Sequence, residues 1–183
     1  IVVCGYDNFN YMMKPEDISY FESGKIENIK FWKRLGAKPN FKNKKVLDFG
    51  CGHGSLALEI ANLGAQKVIG IDLNIDLINF AKNNLNQNFP NLKDRVEFEM
   101  IDLLKTDKFQ DIDYIVTKDT FEHTLNLDQI LEKFYQILNR DGKALVGFGP
   151  LYNFYNGDHG RAEAILPWFH IIIPEKILIK RLN

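Results

Sequence analysis

Asp48, Gly50, Gly52 and Gly54 fall within one run, VLDFGCGHGSL over residues 46–56, in which a carboxylate precedes three glycines at alternate positions. Glycines let a backbone approach a ligand closely and take positive φ without strain. Such a loop carries meaning when a strand leads into it and a helix leads out. A dinucleotide loop reads G-x-G-x-x-G and aims a helix N-terminus at a pyrophosphate. Here the spacing is G-x-G-x-G, one residue shorter. Asp48 at its mouth would repel a pyrophosphate and favour an ammonium group.

Two further carboxylates follow at the ends of strand-like runs. Asp72, with Leu73 after it, is placed to accept both hydroxyls of a ribose. Asp102 can accept from an adenine amino group while Leu103 packs on the ring, or it can cap a helix. An adenosine joined to an amino-acid tail, with an ammonium and no phosphate, matches these charge signs. S-adenosylmethionine is such a molecule.

The elements that must position these groups alternate along the chain. Strand-like runs rich in Val and Ile occupy 45–49, 67–71, 96–101, 114–117 and 143–148. Between them, Leu56, Ala57, Ile60, Ala61 and Leu63 form one apolar helical face, with Gly64 as its C-terminal cap. Asn74 caps a second helix bearing Leu77, Ile78, Ala81 and Leu85. Ile130, Leu131, Phe134, Ile137 and Leu138 give a third, ended by a turn over 139–142. A further helix is expected at about 24–35. The pattern predicts an α/β fold, a doubly wound and mostly parallel sheet with helices on both faces, which binds ligands at the carboxyl ends of its strands.

The fourth strand runs into Lys118-Asp-Thr-Phe-Glu-His123. The order Asp-x-Gly-Cys-Gly-x-Gly, then Asp72, then Asp102-Leu103, then Glu122-His123 resembles the class I S-adenosylmethionine-dependent methyltransferases over roughly residues 44–148. The segments Gly147–Tyr152, Gly157–His159 and Leu166–His170 resemble a bacterial branch of that family. The resemblance implies that Asp48, Gly50, Cys51, Gly52 and Gly54 line the methionine end of the cofactor. It further implies that Asp72 and Leu73 lie at the ribose, Asp102 and Leu103 at the adenine, and Asp119 near the amino group or sulfonium. The Cys51 and His53 side chains themselves are read as bystanders. No Asn-Pro-Pro-Tyr motif follows strand four, which speaks against methylation of nucleic-acid bases or protein amides.

Methyl transfer to a hydroxyl needs a base, and His123 or His159 can titrate near neutral pH. Tyr152 and Tyr155 can stack on a small polar organic acceptor, and Arg161 can meet an anionic group. His170, inside an apolar run, is read as core. Tyr6, Phe9, Tyr11 and Tyr20 mark the opening segment as a lid. The histidines lack the paired spacing of a zinc site, so no metal is expected.

With 183 residues, 45% of them hydrophobic, the chain is expected to form one domain: a lid and helix over 1–43, a cofactor-binding core over 44–148 and an acceptor-side segment over 149–183. A net charge of -1 without a basic stripe argues against nucleic acid. No apolar run is long enough to span a bilayer, and Cys4 and Cys51 are too few for a disulfide framework. A reducing, cytoplasmic setting is the plain expectation. Two other readings keep the loop: a nicotinamide-dependent oxidoreductase, disfavoured by Asp48 and the glycine spacing, and a non-catalytic cofactor-binding scaffold. Family members carry two more strands after the fifth, so a C-terminal piece is expected to be missing.

Overall fold

The computed structural model describes residues 13–148. Tyr152, Tyr155, His159, Arg161 and His170, and the lid residues Tyr6, Phe9 and Tyr11, lie outside the described residues. Five strands form one sheet: β1 (Lys45–Phe49), β2 (Lys67–Asp72), β3 (Val96–Met100), β4 (Ile112–Lys118) and β5 (Leu138–Gly147). Their order is β3-β2-β1-β4-β5, and every pairing is parallel. The chain therefore reverses its direction of travel across the sheet between β1 and β4. That is the switch point at which a doubly wound sheet opens a crevice at its strand ends.

Helices cover both faces. On one, α1 (Pro15–Arg34), α2 (Ser55–Asn62) and α3 (Ile75–Asn88) bury Phe31, Trp32, Ala57, Ile60, Ile78 and Ala81 against Val46, Val68, Val96 and Val116. On the other, α4 (Leu127–Ile137) packs Ile130, Phe134 and Ile137 against Leu47, Ile69, Ile71 and Ile115. Alternation along each strand produces the split, since successive side chains point to opposite faces. Asn74 caps α3 as expected, its side chain accepting from the Asp76 amide at 2.9 Å.

Two elements begin elsewhere than expected. Helix α1 begins at Pro15 rather than near Gly24, with Glu16 and Asp17 in its first turn, where acids complement the helix dipole. Gly24 lies inside this helix because a Cβ there would come within 2.4 Å of the Ser55 hydroxyl at the start of α2. The close crossing outweighs the low helix propensity of glycine. The turn over 139–142 does not separate α4 from β5 but sits within β5. Ile112 pairs with Leu138 and Tyr114 with Lys143, so the extra residues are taken up as an irregularity in register. Asn139 pins it by donating to Asp113 and accepting the Asp141 amide. Among the described residues, no helix is long and apolar enough to cross a membrane.

Candidate active site

Strand β1 ends at Phe49, and Gly50, Gly52 and Gly54 all take positive φ, at 73°, 50° and 82°. The three are not equivalent. A Cβ on Gly50 would lie 2.3 Å from the Thr120 side chain, and one on Gly54 would lie 2.5 Å from the Phe98 ring. A Cβ on Gly52 would meet nothing within 4 Å. Gly50 and Gly54 thus let neighbouring elements close on the loop, whereas Gly52 faces open space. Gly54→Ala is accordingly expected to lower stability by roughly 2–3 kcal/mol through left-handed strain and overpacking. Gly52→Ala should show a smaller loss in chemical denaturation and a larger loss of ligand affinity.

The open space is a cavity of about 730 Å³ at the carboxyl ends of the strands, within the range of sites that enclose small ligands. Asp48, Gly50, Cys51, Gly52, Asp72, Leu73, Asp102, Leu103, Asp119 and His123 all line it. Gly54 does not; it sits just behind, as the N-cap of α2.

Asp48 is the penultimate residue of β1, paired in register with Gly70 and Val116, and is 1% exposed. Glycine at the N-cap offers no side chain, and Asp48 instead accepts the Ala57 amide in the first turn of α2. Its Oδ2 has no hydrogen-bond partner. Burial pushes the Asp48 carboxyl up to about 7; Lys118 pulls it down, and Asp72 adds to the rise. Asp72 braces the loop: one carboxylate oxygen accepts the Gly52 amide and the other the Asn74 amide, each at 2.9 Å. Asp102 caps the short 3-10 turn Leu103–Lys105, accepting the Leu104 amide at 3.1 Å and pairing with Lys105 at 2.9 Å. The lysine hydrogen bond holds its carboxyl below the usual range. The cap reading of Asp102 is therefore realised on the cavity wall.

Asp119 and His123 belong to the turn after β4. Asp119 takes φ 53° and lies 3.7 Å from Arg34 on α1. His123 closes the 3-10 turn Phe121–His123 and donates its amide to Thr120 O at 3.0 Å. Because Thr120 also packs on Gly50, this turn is held against the glycine loop.

Three contributions escaped the sequence. His53 is no bystander: its ring sits between Tyr20 and Phe80 at centroid distances of 4.8 and 5.0 Å, and Nε2 lies 3.0 Å from Asp17. It ties α1 to the glycine loop. Helix α1 itself supplies Tyr20, Phe21, Ser23, Gly24 and Glu27 to the cavity wall. Lys118, the last residue of β4, lines the cavity and donates to Asn28 at 2.8 Å. Its position at a strand end beside the switch point was the available signal. The Cys51 thiol is buried, and burial pushes it well above its ordinary value, so it carries no thiolate chemistry. Among the described residues no three His, Cys, Asp or Glu side chains converge as a metal site.

The donor set suits S-adenosylmethionine. The cavity wall is rich in carboxylates, carries an unpartnered buried carboxylate oxygen and presents an open backbone at Gly52. The carboxylates along the wall would repel a pyrophosphate, which disfavours the nicotinamide reading.

Comparison with known proteins agrees. A family model described as a methyltransferase domain matches residues 40–148. Phosphoethanolamine N-methyltransferase 3 of Arabidopsis thaliana is 33% identical over 129 residues, covering 69% of this chain and 25% of that protein. The chain thus spans about a quarter of the length of such curated relatives. A candidate S-adenosyl-L-methionine-dependent methyltransferase of Methanococcus maripaludis shares the fold at a TM-score of 0.61 and 19% identity, over 88% of this chain and 74% of that one. PKMT2 of Rickettsia typhi, solved in complex with AdoHcy, is 29% identical at a TM-score of 0.50, over 60% of this chain and 22% of that one. With glycine loop, acidic followers and parallel sheet all in place, the chain belongs to the class I S-adenosylmethionine-dependent methyltransferases.

Proposed function

We propose that the protein transfers a methyl group to a small polar organic acceptor, with His123 removing the acceptor's proton. The observation that carries this reading is the placement of His123 on the cavity wall, on a turn that Thr120 holds against the glycine loop. The cofactor supplies an activated methyl on a sulfonium, so the protein's work is to align the acceptor, exclude water and handle one proton. Asp48 and the open backbone at Gly52 would receive the amino-acid tail. Asp72 and Leu73 would receive the ribose, and Asp102 and Leu103 the adenine. Asp119 would lie towards the charged centre.

The acceptor atom expected from the residues is a hydroxyl oxygen. An amine nitrogen is the competing reading, supported by the phosphoethanolamine N-methyltransferases among the relatives. The wall also favours it: Glu27, Asp48, Asp72, Asp102 and Asp119 line the cavity and would draw in a cationic amine. Either acceptor gives the imidazole the same task. Incubation with S-adenosylmethionine and paired small acceptors, each amine beside its alcohol analogue and phosphoethanolamine included, should release S-adenosylhomocysteine with one member of a pair. Release with neither class, but with a protein or nucleic acid, would overturn the small-acceptor reading.

A further inference from the structure

Helix α1 carries an apolar stripe that its own fold does not use. Phe21, Gly24, Asn28, Phe31 and Trp32 make its buried face, and Tyr20, Ser23 and Glu27 line the cavity. Ile18, Ile26 and Ile29 stand on the remaining side, 42%, 60% and 67% exposed, and belong to neither core cluster. A lone exposed isoleucine needs no partner, but three on one side of one helix form a patch. Isoleucine is also a middling helix former, so propensity does not account for them.

The spacing along this side is specific. Ile18, Glu22, Lys25 and Ile29 succeed one another at steps of four, three and four residues, the seam period of helices packed side by side. All four are exposed, and Glu22 and Lys25 pair at 2.6 Å. A two-fold axis across the seam brings the same helix opposite, running the other way, so that the first seam residue meets the last and the second meets the third. Ile18 then faces Ile29 of the second copy, and Glu22 faces its Lys25, each contact occurring twice. The seam is thus its own complement in both apolarity and charge sign. Lys14 and Lys33, exposed beyond its two ends, would face each other and confine the contact to these residues.

We propose that this face of α1 pairs with the same face of a second copy, antiparallel about a two-fold axis, in a weak dimer. At 3.6 residues per turn the seam lies on the opposite side of α1 from Tyr20, Ser23 and Glu27, so both cavities stay open. The inference does not depend on the identity of the methyl acceptor.

Analytical ultracentrifugation tests it. The unaltered protein should dimerise reversibly with a Kd of roughly 10–100 µM, as suits a small interface. Ile29→Glu, which spoils both isoleucine contacts, should be monomeric over the same concentrations. Glu22→Lys sets lysine against lysine in the two central contacts, and Lys25→Glu sets glutamate against glutamate. Each should be monomeric alone, and an equimolar mixture of the two should dimerise again, because every opposed pair regains opposite signs. Far-UV circular dichroism and S-adenosylhomocysteine binding matching the parent establish that the variants are folded. An unaltered protein that stays monomeric up to about 500 µM overturns the proposal and leaves the stripe to a different protein. So does a dimer that survives Ile29→Glu or either charge reversal, or a mixture of the two folded charge variants that fails to associate.

Discussion

Replacing His123 with alanine is expected to lower kcat by roughly 10²- to 10⁴-fold while leaving the affinity for S-adenosylhomocysteine nearly unchanged. The separation follows from the geometry. His123 sits at the end of a turn after β4, and its exposed side chain faces the cavity without bracing the glycine loop. The loop is braced instead by Asp72, through the Gly52 and Asn74 amides, and by Thr120. Loss of the ring therefore removes a proton acceptor and little structure. Single-turnover rates on an identified acceptor, paired with calorimetry, provide the check. A His123→Ala enzyme that keeps its turnover would remove the base from the proposal. An equal loss in both measurements would mean that the turn, not the imidazole, matters.

The second large effect concerns Asp48, where stability and ligand binding oppose each other. In the unfolded chain this carboxyl ionises near 3.8, and in the folded protein near 7. Between those values the folded state holds the proton more strongly than the unfolded state does. Stability from this group is therefore complete below about pH 4, falls as the pH rises to about 7 and is level above it. A shift of about three units bounds the loss at roughly 4 kcal/mol. Asp48→Asn keeps an oxygen for the Ala57 amide and removes the titration. The variant should match the parent at pH 4 and exceed it by about 2–4 kcal/mol at pH 8, read as the difference between urea midpoints across that range. Its affinity for S-adenosylhomocysteine should fall about tenfold or more, because the ammonium loses its anion. A difference in stability that does not change with pH would refute this account of Asp48.

Much of this was legible because strands and loops obey local rules. The run Lys45–Phe49 reads as a buried strand from its own residues, and the loop after it from its glycines. Parallel pairing and the switch point follow from alternation of strand and helix. What escaped depends on contacts across the chain. Helix α1 leaves Tyr20, Ile26 and Ile29 exposed while burying Phe21, Gly24 and Asn28, so its apolar stripe is weak and its start at Pro15 is hard to read from the residues alone. Gly54 belongs to Phe98, a residue from β3, and no inspection of the loop alone would separate it from Gly52. His53 and Lys118 acquire meaning only from Asp17 and Asn28 on α1. The turn over 139–142 carried correct turn residues, yet Asn139 uses them against Asp113 inside the sheet.

That dependence on α1 has a consequence for the order in which the molecule comes to life. Helix α1 precedes all five strands of the described sheet, yet its Phe31 ring packs where Gly147 leaves room at the end of β5. Trp32 reaches Glu59, and Lys118 reaches back to Asn28. During synthesis this segment leaves the ribosome before the strand end that it packs against. Contacts of such long sequence separation form late and slowly. The nucleotide cradle between β1 and β2 can therefore assemble well before its wall is closed. Competence to hold the whole cofactor would arrive in a single late step, when α1 settles onto the end of β5.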